Sequence, residues 1–262
     1  MKRRDVLKTM AIAGVAAGAG GAAATAQTAA QTFVLVHGAW HGGWCWKKVI
    51  PFLRAAGHEV WAPTLTGLGE RAHLLSPAVD LDTHVQDVLG LFDYEDLQNV
   101  ILVGHSSSGM VITAVADRVP ERIAHLVYLD AFIPDDGQNL FDLVPAAVRE
   151  PVLAQARDEG DGWRSPPTGE EQPFGVTDPE DARWVRSKLT AHPVKAWTQA
   201  VRSSSPEAAT LPRTVIKCTN LSAPARIPPS WRAGWRYREL ATGHDVMVTM
   251  PRELVALLLE LA

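Results

Sequence analysis

Residues 99–110 read NVILVGHSSSGM, and this stretch decides the fold. Val100, Ile101, Leu102 and Val103 form a short apolar run, the mark of a strand buried on both faces. Gly104, His105 and Ser106 follow, then Ser107, Ser108 and Gly109. Met110, Val111, Ile112, Ala114, Val115 and Ala116 then make an apolar helix, stopped near Pro120. A strand, a tight turn with serine at its apex and a helix make the context of a nucleophile elbow. A serine hydroxyl is a weak nucleophile and must stand clear of the sheet to meet a base and a carbonyl carbon. Small neighbours permit the strained turn. One detail departs from G-x-S-x-G. Ser108 stands at the fifth position, and the glycine comes one residue late, as Gly109.

Outward from the elbow, strands and helices alternate. Upstream, residues 32–36 read as a strand ending in the glycine-rich loop HGAWHGGW at 37–44. A helix is expected to Ala56, stopped by Gly57, then a strand at 59–63, a loop at 64–76 and a helix at 81–96. Downstream, residues 124–129 form an apolar strand closed by Asp130. Strands at 213–218 and 235–240 follow, and Pro251 opens a last helix. This order predicts an α/β fold: a mostly parallel sheet with helices on both faces, with its sites at the carboxyl ends of the strands. From about 134 to 206 prolines, acidic residues and short amphipathic pieces (141–153 and 181–189) replace the strands. That is too long for a plain loop. Its position directly after a strand end favours a helical lid over a peripheral insertion.

The chain has 262 residues, of which 47% are hydrophobic, enough for one domain with a large core. Its net charge is −4 and no basic run follows the first ten residues, which argues against a nucleic-acid partner. Lys2-Arg3-Arg4 opens a twin-arginine pattern. A weakly apolar Ala/Gly stretch follows, and Ala24-Thr25-Ala26 offers a small-x-small cleavage site. Residues 1–26 are therefore expected to be an export signal, with a single domain over 27–262 and a periplasmic or secreted product. The alternatives are a membrane anchor or an unstructured tail, but the glycine-rich segment is too weakly apolar for a good permanent span. Cys45 and Cys218 sit on different elements and read as free, buried thiols. No Cys/His spacing suggests a metal site.

Reactive groups gather at the strand ends. Ser106, Asp130 and His244 stand in the order nucleophile, acid, base. His244 is the one of nine histidines lying in a loop just past the last strand. His37 and His41 are expected to brace the glycine loop, and His105 to pack inside the elbow. His58, His73, His84, His125 and His192 read as surface or helix-end residues. Asp130 has to orient the imidazole and stabilise the imidazolium; alternatively it holds a neighbouring loop. Asp245 is adjacent to His244 in sequence and poorly placed to reach that ring. Trp40, Trp163 and Trp184, with Trp44, Trp197, Trp231 and Trp235, are candidates for an apolar pocket or for ordinary packing.

On these residues the chain resembles the α/β-hydrolase superfamily. Within it, the chain is similar to the branch holding plant methyl-ester hydrolases, hydroxynitrile lyases and bacterial carboxylesterases. The matching stretches are TFVLVHGAWHGGWCW, GHEVWAPTLTGLGER, DLDTHVQDV, NVILVGHS, GMVITAVADRVPERI, LVYLDAFIP and TGHDVM. The resemblance implies Ser106 as nucleophile, His244 as general base and the backbone N–H groups of Ala39 and Ser107 as oxyanion hole. It implies a cofactor-free serine carboxylesterase acting on small-to-medium apolar or aromatic esters. Many relatives carry the triad acid after the penultimate strand, where this chain reads CTNLS at 218–222 without a carboxylate. Some place it after the preceding strand, which is where Asp130 stands. Lyases of the branch have a threonine and a lysine at the positions of Gly38 and Asp245. Asp245 has the wrong sign to stabilise departing cyanide. A non-catalytic ligand-binding protein on the same fold is the other alternative, motivated by Asn220 and Ser108.

Overall fold

The computed structural model describes residues 30–167, 169, 173–220 and 234–262. The expected export signal and Trp231 lie outside these residues. Six parallel strands form the central sheet: β1 (Thr32–Val36), β2 (Glu59–Trp61), β3 (Val100–His105), β4 (Ile123–Leu129), β7 (Arg213–Cys218) and β8 (Arg236–Leu240). Their spatial order is β2-β1-β3-β4-β7-β8, which puts the elbow strand at the centre. Side chains alternate between two cores. Val34, Val36, Leu102 and Tyr128 face α2 (Leu81–Tyr94) and α3 (Ser108–Arg118). Phe33, Leu35, Ile101 and Val103 face α1 (Ile50–Ala55) and α9 (Pro251–Leu259). Burying each such side chain stabilises the fold by about 1.5–3 kcal/mol. Truncating one, as in Leu102→Ala, is expected to cost about 2–5 kcal/mol.

Local chemistry sets the element ends. Asp80 caps α2 by accepting from Thr83 N–H at 3.0 Å, and Thr83 Oγ1 accepts from Asp80 N–H in return. The expected helix before Ala56 is split into a 3₁₀ turn at Gly43–Lys48 and the short α1. Pro51 is the reason: without an N–H it fits only the first turn of a new helix.

Between β4 and β7 the insertion carries α4 (Ala146–Glu159), α5 (Pro179–Arg186), α6 (Lys195–Thr198) and α7 (Pro206–Ala209). Its α4 starts later than expected, because Asn139 caps a separate 3₁₀ turn at Leu140–Asp142 and Pro145 precedes the helix. It also contains a two-residue antiparallel ladder, β5 (Arg164–Ser165) with β6 (His192–Pro193), too short to show a period in sequence. The last helical segment before α9 is α8 (Val246–Thr249).

The expectation of surface histidines fails for four of the five residues. His73 is exposed, but His58, His84, His125 and His192 are buried. Each has a polar partner: Gln31 N–H, Thr66 O, Thr214 Oγ1 and Pro193 O respectively. Burial lowers the pKa of all four, so they pack as neutral rings. Cys45 and Cys218 are free and buried. Among the described residues no helix is long and apolar enough to cross a membrane.

Candidate active site

Ser106 is the first residue past β3 and has φ of 56°, a left-handed conformation uncommon for serine. The surroundings hold it there. Its N–H donates to Leu129 O at 3.2 Å, and its carbonyl accepts from Gly109 N–H and Phe132 N–H at 3.1 and 3.0 Å. The late glycine now has a reason. A Cβ on Gly109 would come within 1.8 Å of Phe132 O, so glycine is what lets α3 seat against the segment leaving β4. Ser108 has one as well: its hydroxyl donates to His37 O, tying the first turn of α3 to the glycine loop.

Asp130 leaves β4 at φ of 41°, with its N–H on Ile216 O at 2.7 Å. His244 Nδ1 lies 2.6 Å from Asp130 Oδ2. The other carboxylate oxygen is 2.5 Å from Lys217 Nζ and accepts from Cys218 N–H at 3.4 Å. Burial alone would raise the Asp130 pKa, but His244 and Lys217 outweigh it and hold the carboxyl below its usual range. His105 lies under His244, ring centroids 4.4 Å apart. Its Nε2 is 3.1 Å from His244 O, and a carbonyl only accepts, so Nε2 carries the proton. Burial pushes His105 well below the ordinary imidazole value, so it adds no charge under His244. Among the described residues no hydrogen bond joins Ser106 Oγ to His244 Nε2, a contact that often tightens only when substrate binds.

In the glycine loop the N–H groups of Ala39 and Ser107 donate to no acceptor among the described residues. His37 fixes the loop from inside. Its Nδ1–H donates to Gly38 O at 2.9 Å and its Nε2 accepts from Leu65 N–H at 3.0 Å. Burial takes its pKa down to about 3, so it stays neutral. Trp40, at φ of 62°, joins the loop to the insertion. Its Nε1–H donates to Ser165 O at 3.1 Å, and its carbonyl accepts from Thr190 N–H at 2.9 Å. Phe174, also from the insertion, has its ring centroid 4.8 Å from that of His41, 5.9 Å from Trp40 and 6.2 Å from His244.

A left-handed serine thus stands between a buried strand and a helix, with Asp130 past β4 and His244 past β8 in contact beside it. The sequence profile of the alpha/beta hydrolase family matches residues 33–257. The chain belongs to this family. It is similar to a carbendazim-hydrolyzing esterase of Nocardioides sp. (strain SG-4G), 42% identical over 85% of this chain and 96% of that one. It is also similar to a pheophorbidase of Raphanus sativus, 30% identical over 87% of this chain and 92% of that one. Among solved structures, an extracellular α/β-hydrolase of a Paenibacillus species superposes with a TM-score of 0.78 at 24% identity, covering 88% and 99% of the two chains.

The hydrolase fold brings Ser106, Asp130, His244, Ala39, Ser107 and Trp40 to one end of the sheet. Among the described residues no ring contact joins Trp163 or Trp184 to them. Trp184 packs edge-on to Trp44, ring centroids 5.1 Å apart, and Trp44 in turn stacks on His41 at 5.2 Å, so Trp184 is behind the glycine loop. Trp163 is half-buried beneath the Arg164 guanidinium at 5.7 Å. The aromatic wall beside Trp40 is instead Phe174, His192 and Trp197, with Trp197 5.3 Å from Trp40 and stacked on His192 at 4.4 Å. Sequence reasoning missed three participants. Phe174 sits in an irregular turn with no pattern to flag it. Lys217 could have been found from its place near the end of β7, the strand beside β4. Asp245 shows its role only through a partner, His41, that lies 204 positions away.

Proposed function

We propose that this hydrolase is a serine carboxylesterase with Ser106 as nucleophile, His244 as general base and Asp130 as the orienting acid. The observation that carries the reading is the 2.6 Å contact of His244 Nδ1 with Asp130 Oδ2 beside a serine held at the elbow. Ser106 Oγ attacks the ester carbonyl carbon while His244 Nε2 takes its proton. Asp130 holds the Nδ1–H tautomer and stabilises the imidazolium. The oxyanion forms against the free N–H groups of Ala39 and Ser107, worth about 3–4 kcal/mol each. The alcohol leaves with the proton from His244, and water then releases the acid from Ser106. The mechanism calls on no cofactor.

The substrate class we infer is a small-to-medium apolar or aromatic ester. The wall of Trp40, Phe174 and Trp197 supports it, as do the esterases among the relatives. The insertion acts as a lid in this reading, since Phe174 and Ser165 contact the glycine loop directly. The lyase alternative is disfavoured on space as well as charge. A Cβ at Gly38 would fall 2.8 Å from Ser106 Cβ, leaving no room for threonine, and Asp245 is already paired with His41.

Ser106→Ala is expected to lower turnover of a p-nitrophenyl ester about 10⁴–10⁶-fold; near-native activity in that variant would overturn the assignment. A serine-directed phosphonate should label Ser106 stoichiometrically in folded protein, and absence of labelling would favour a binding protein instead. We further propose twin-arginine export, supported by Lys2-Arg3-Arg4 and the Ala24-Thr25-Ala26 site. Cell fractionation checks it: cytosolic enzyme retaining Met1 is the contrary result.

A further inference from the structure

Lys217 plays no part in the acyl-transfer steps, yet it is one of the two side chains that hold Asp130. Its Nζ lies 2.5 Å from Asp130 Oδ1, while His244 Nδ1 lies 2.6 Å from Oδ2. Both partners are enclosed, the Lys217 side chain 14% and the Asp130 side chain 5% exposed. The placement follows from the sheet. Strands β4 and β7 are parallel with Leu129 opposite Ile216, so Asp130 and Lys217 leave the ladder side by side. A single carboxylate thus serves two nitrogen partners, the Lys217 amine on one oxygen and the His244 ring on the other.

We propose that Lys217 is a positioning residue that sets the basicity of His244 through Asp130, keeping the catalytic imidazole neutral, and the esterase active, to lower pH than an unshared Asp–His pair would allow. The proposal rests on the site assigned above. The physical reason is charge sharing. An ionised carboxylate stabilises the imidazolium, and a lysine on its other oxygen offsets part of that field where solvent does not screen it. The cost is a weaker base, and the gain is a larger fraction of enzyme ready to accept the Ser106 proton in mildly acidic medium.

Among the described residues, the other titratable groups around the pair are neutral or engaged elsewhere. His105, under His244, is held neutral by burial. Cys218, also on β7, has its thiol pushed up to about 12 and stays protonated. Tyr237 on β8 is shifted upward, by burial first and by nearby acids after, and is neutral too. Glu239, in register with Lys217 on β8, is exposed and accepts from Tyr237 Oη at 3.0 Å. Asp245 is engaged by His41 at 2.9 Å.

The test is the pH dependence of kcat/KM, whose acid limb reports the base in the free enzyme. Lys217→Met should move that limb upward by about one pH unit. Lys217→Gln, which keeps a donor for Asp130 without the charge, should move it similarly, and Lys217→Arg should leave it near wild type. A merely structural lysine would alter melting temperature or the plateau rate without moving the limb. An unmoved or downward-moved limb in folded Met or Gln variants overturns the proposal. Failure of phosphonate labelling at Ser106 in the wild-type enzyme would overturn the underlying site assignment instead, and is read separately.

Discussion

His41 Nε2 lies 2.9 Å from Asp245 Oδ2 with both side chains closed to solvent. His41 Nδ1 is 2.7 Å from Ala39 O. A carbonyl and a carboxylate both accept, so both ring nitrogens donate and His41 is the imidazolium. The pair bolts the loop bearing Ala39 to the residue following His244. Removing one member leaves the other buried and uncompensated. His41→Ala is expected to cost about 3–5 kcal/mol by urea denaturation.

The same pair sets a pH dependence of stability. Burial alone would lower the His41 pKa, but the Asp245 carboxylate and the Ala39 carbonyl outweigh it and raise the value. A raised folded value means the contribution is complete below about pH 6.5, the unfolded histidine value, and is lost as pH rises through the folded one. The melting temperature of wild type should therefore decline above about pH 6.5 more steeply than that of a folded His41→Gln variant. Parallel curves in differential scanning calorimetry would refute the ion pair.

Gly38 is closed to any side chain. A Cβ there would meet Ser106 Cβ at 2.8 Å and His105 Nδ1 at 2.9 Å, and neither neighbour can withdraw without moving the elbow. Gly38→Ala should cost about 1–3 kcal/mol through overpacking. Its turnover should fall at least tenfold with KM changed less, because the displaced residue is Ser106, the proposed nucleophile. Steady-state kinetics on a p-nitrophenyl ester separate the two parameters.

Ser108 is a structural substitution with its own bond. Ser108→Ala should lower stability by about 1–3 kcal/mol, the penalty for leaving the His37 carbonyl without its hydroxyl partner. Turnover should stay within a few-fold of wild type. A thousandfold loss would mean that the hydroxyl takes part in chemistry.

The two thiols should be silent in the native protein. Burial raises the pKa of Cys45, and that of Cys218 rises to about 12. A thiol-specific chromogenic reagent at pH 8 is expected to titrate none in folded enzyme and two after denaturation. Recovering fewer than two from denatured, unreduced protein would show a disulfide.

The strand at 100–105, the elbow and the chain order of Ser106, Asp130 and His244 were legible because each rests on local pattern plus topology. The family resemblance points to Asp130 where the place near Asn220 holds no carboxylate, and the sheet puts it against His244. What was not legible depends on contacts between distant segments. The buried state of His84 and His192 follows from the insertion folding over α2, which no local period announces. Trp163 and Trp184 have the composition of a pocket wall but not its position, because side-chain type says nothing about which face of an irregular insertion meets the glycine loop. Phe174 occupies that place at φ of 55°, a conformation that nothing in its neighbours dictates.

Trp40 gives one peptide carbonyl and one indole N–H to the insertion, and its neighbour Ala39 carries a proposed oxyanion donor. Loop and insertion are therefore one interchangeable part rather than two. Anyone exchanging this insertion for that of a relative, to broaden the range of esters accepted, would have to transplant residues 39–41 with it. A chimera that keeps the native loop under a foreign cover would inherit an indole with no acceptor and an anion site with nothing to steady it.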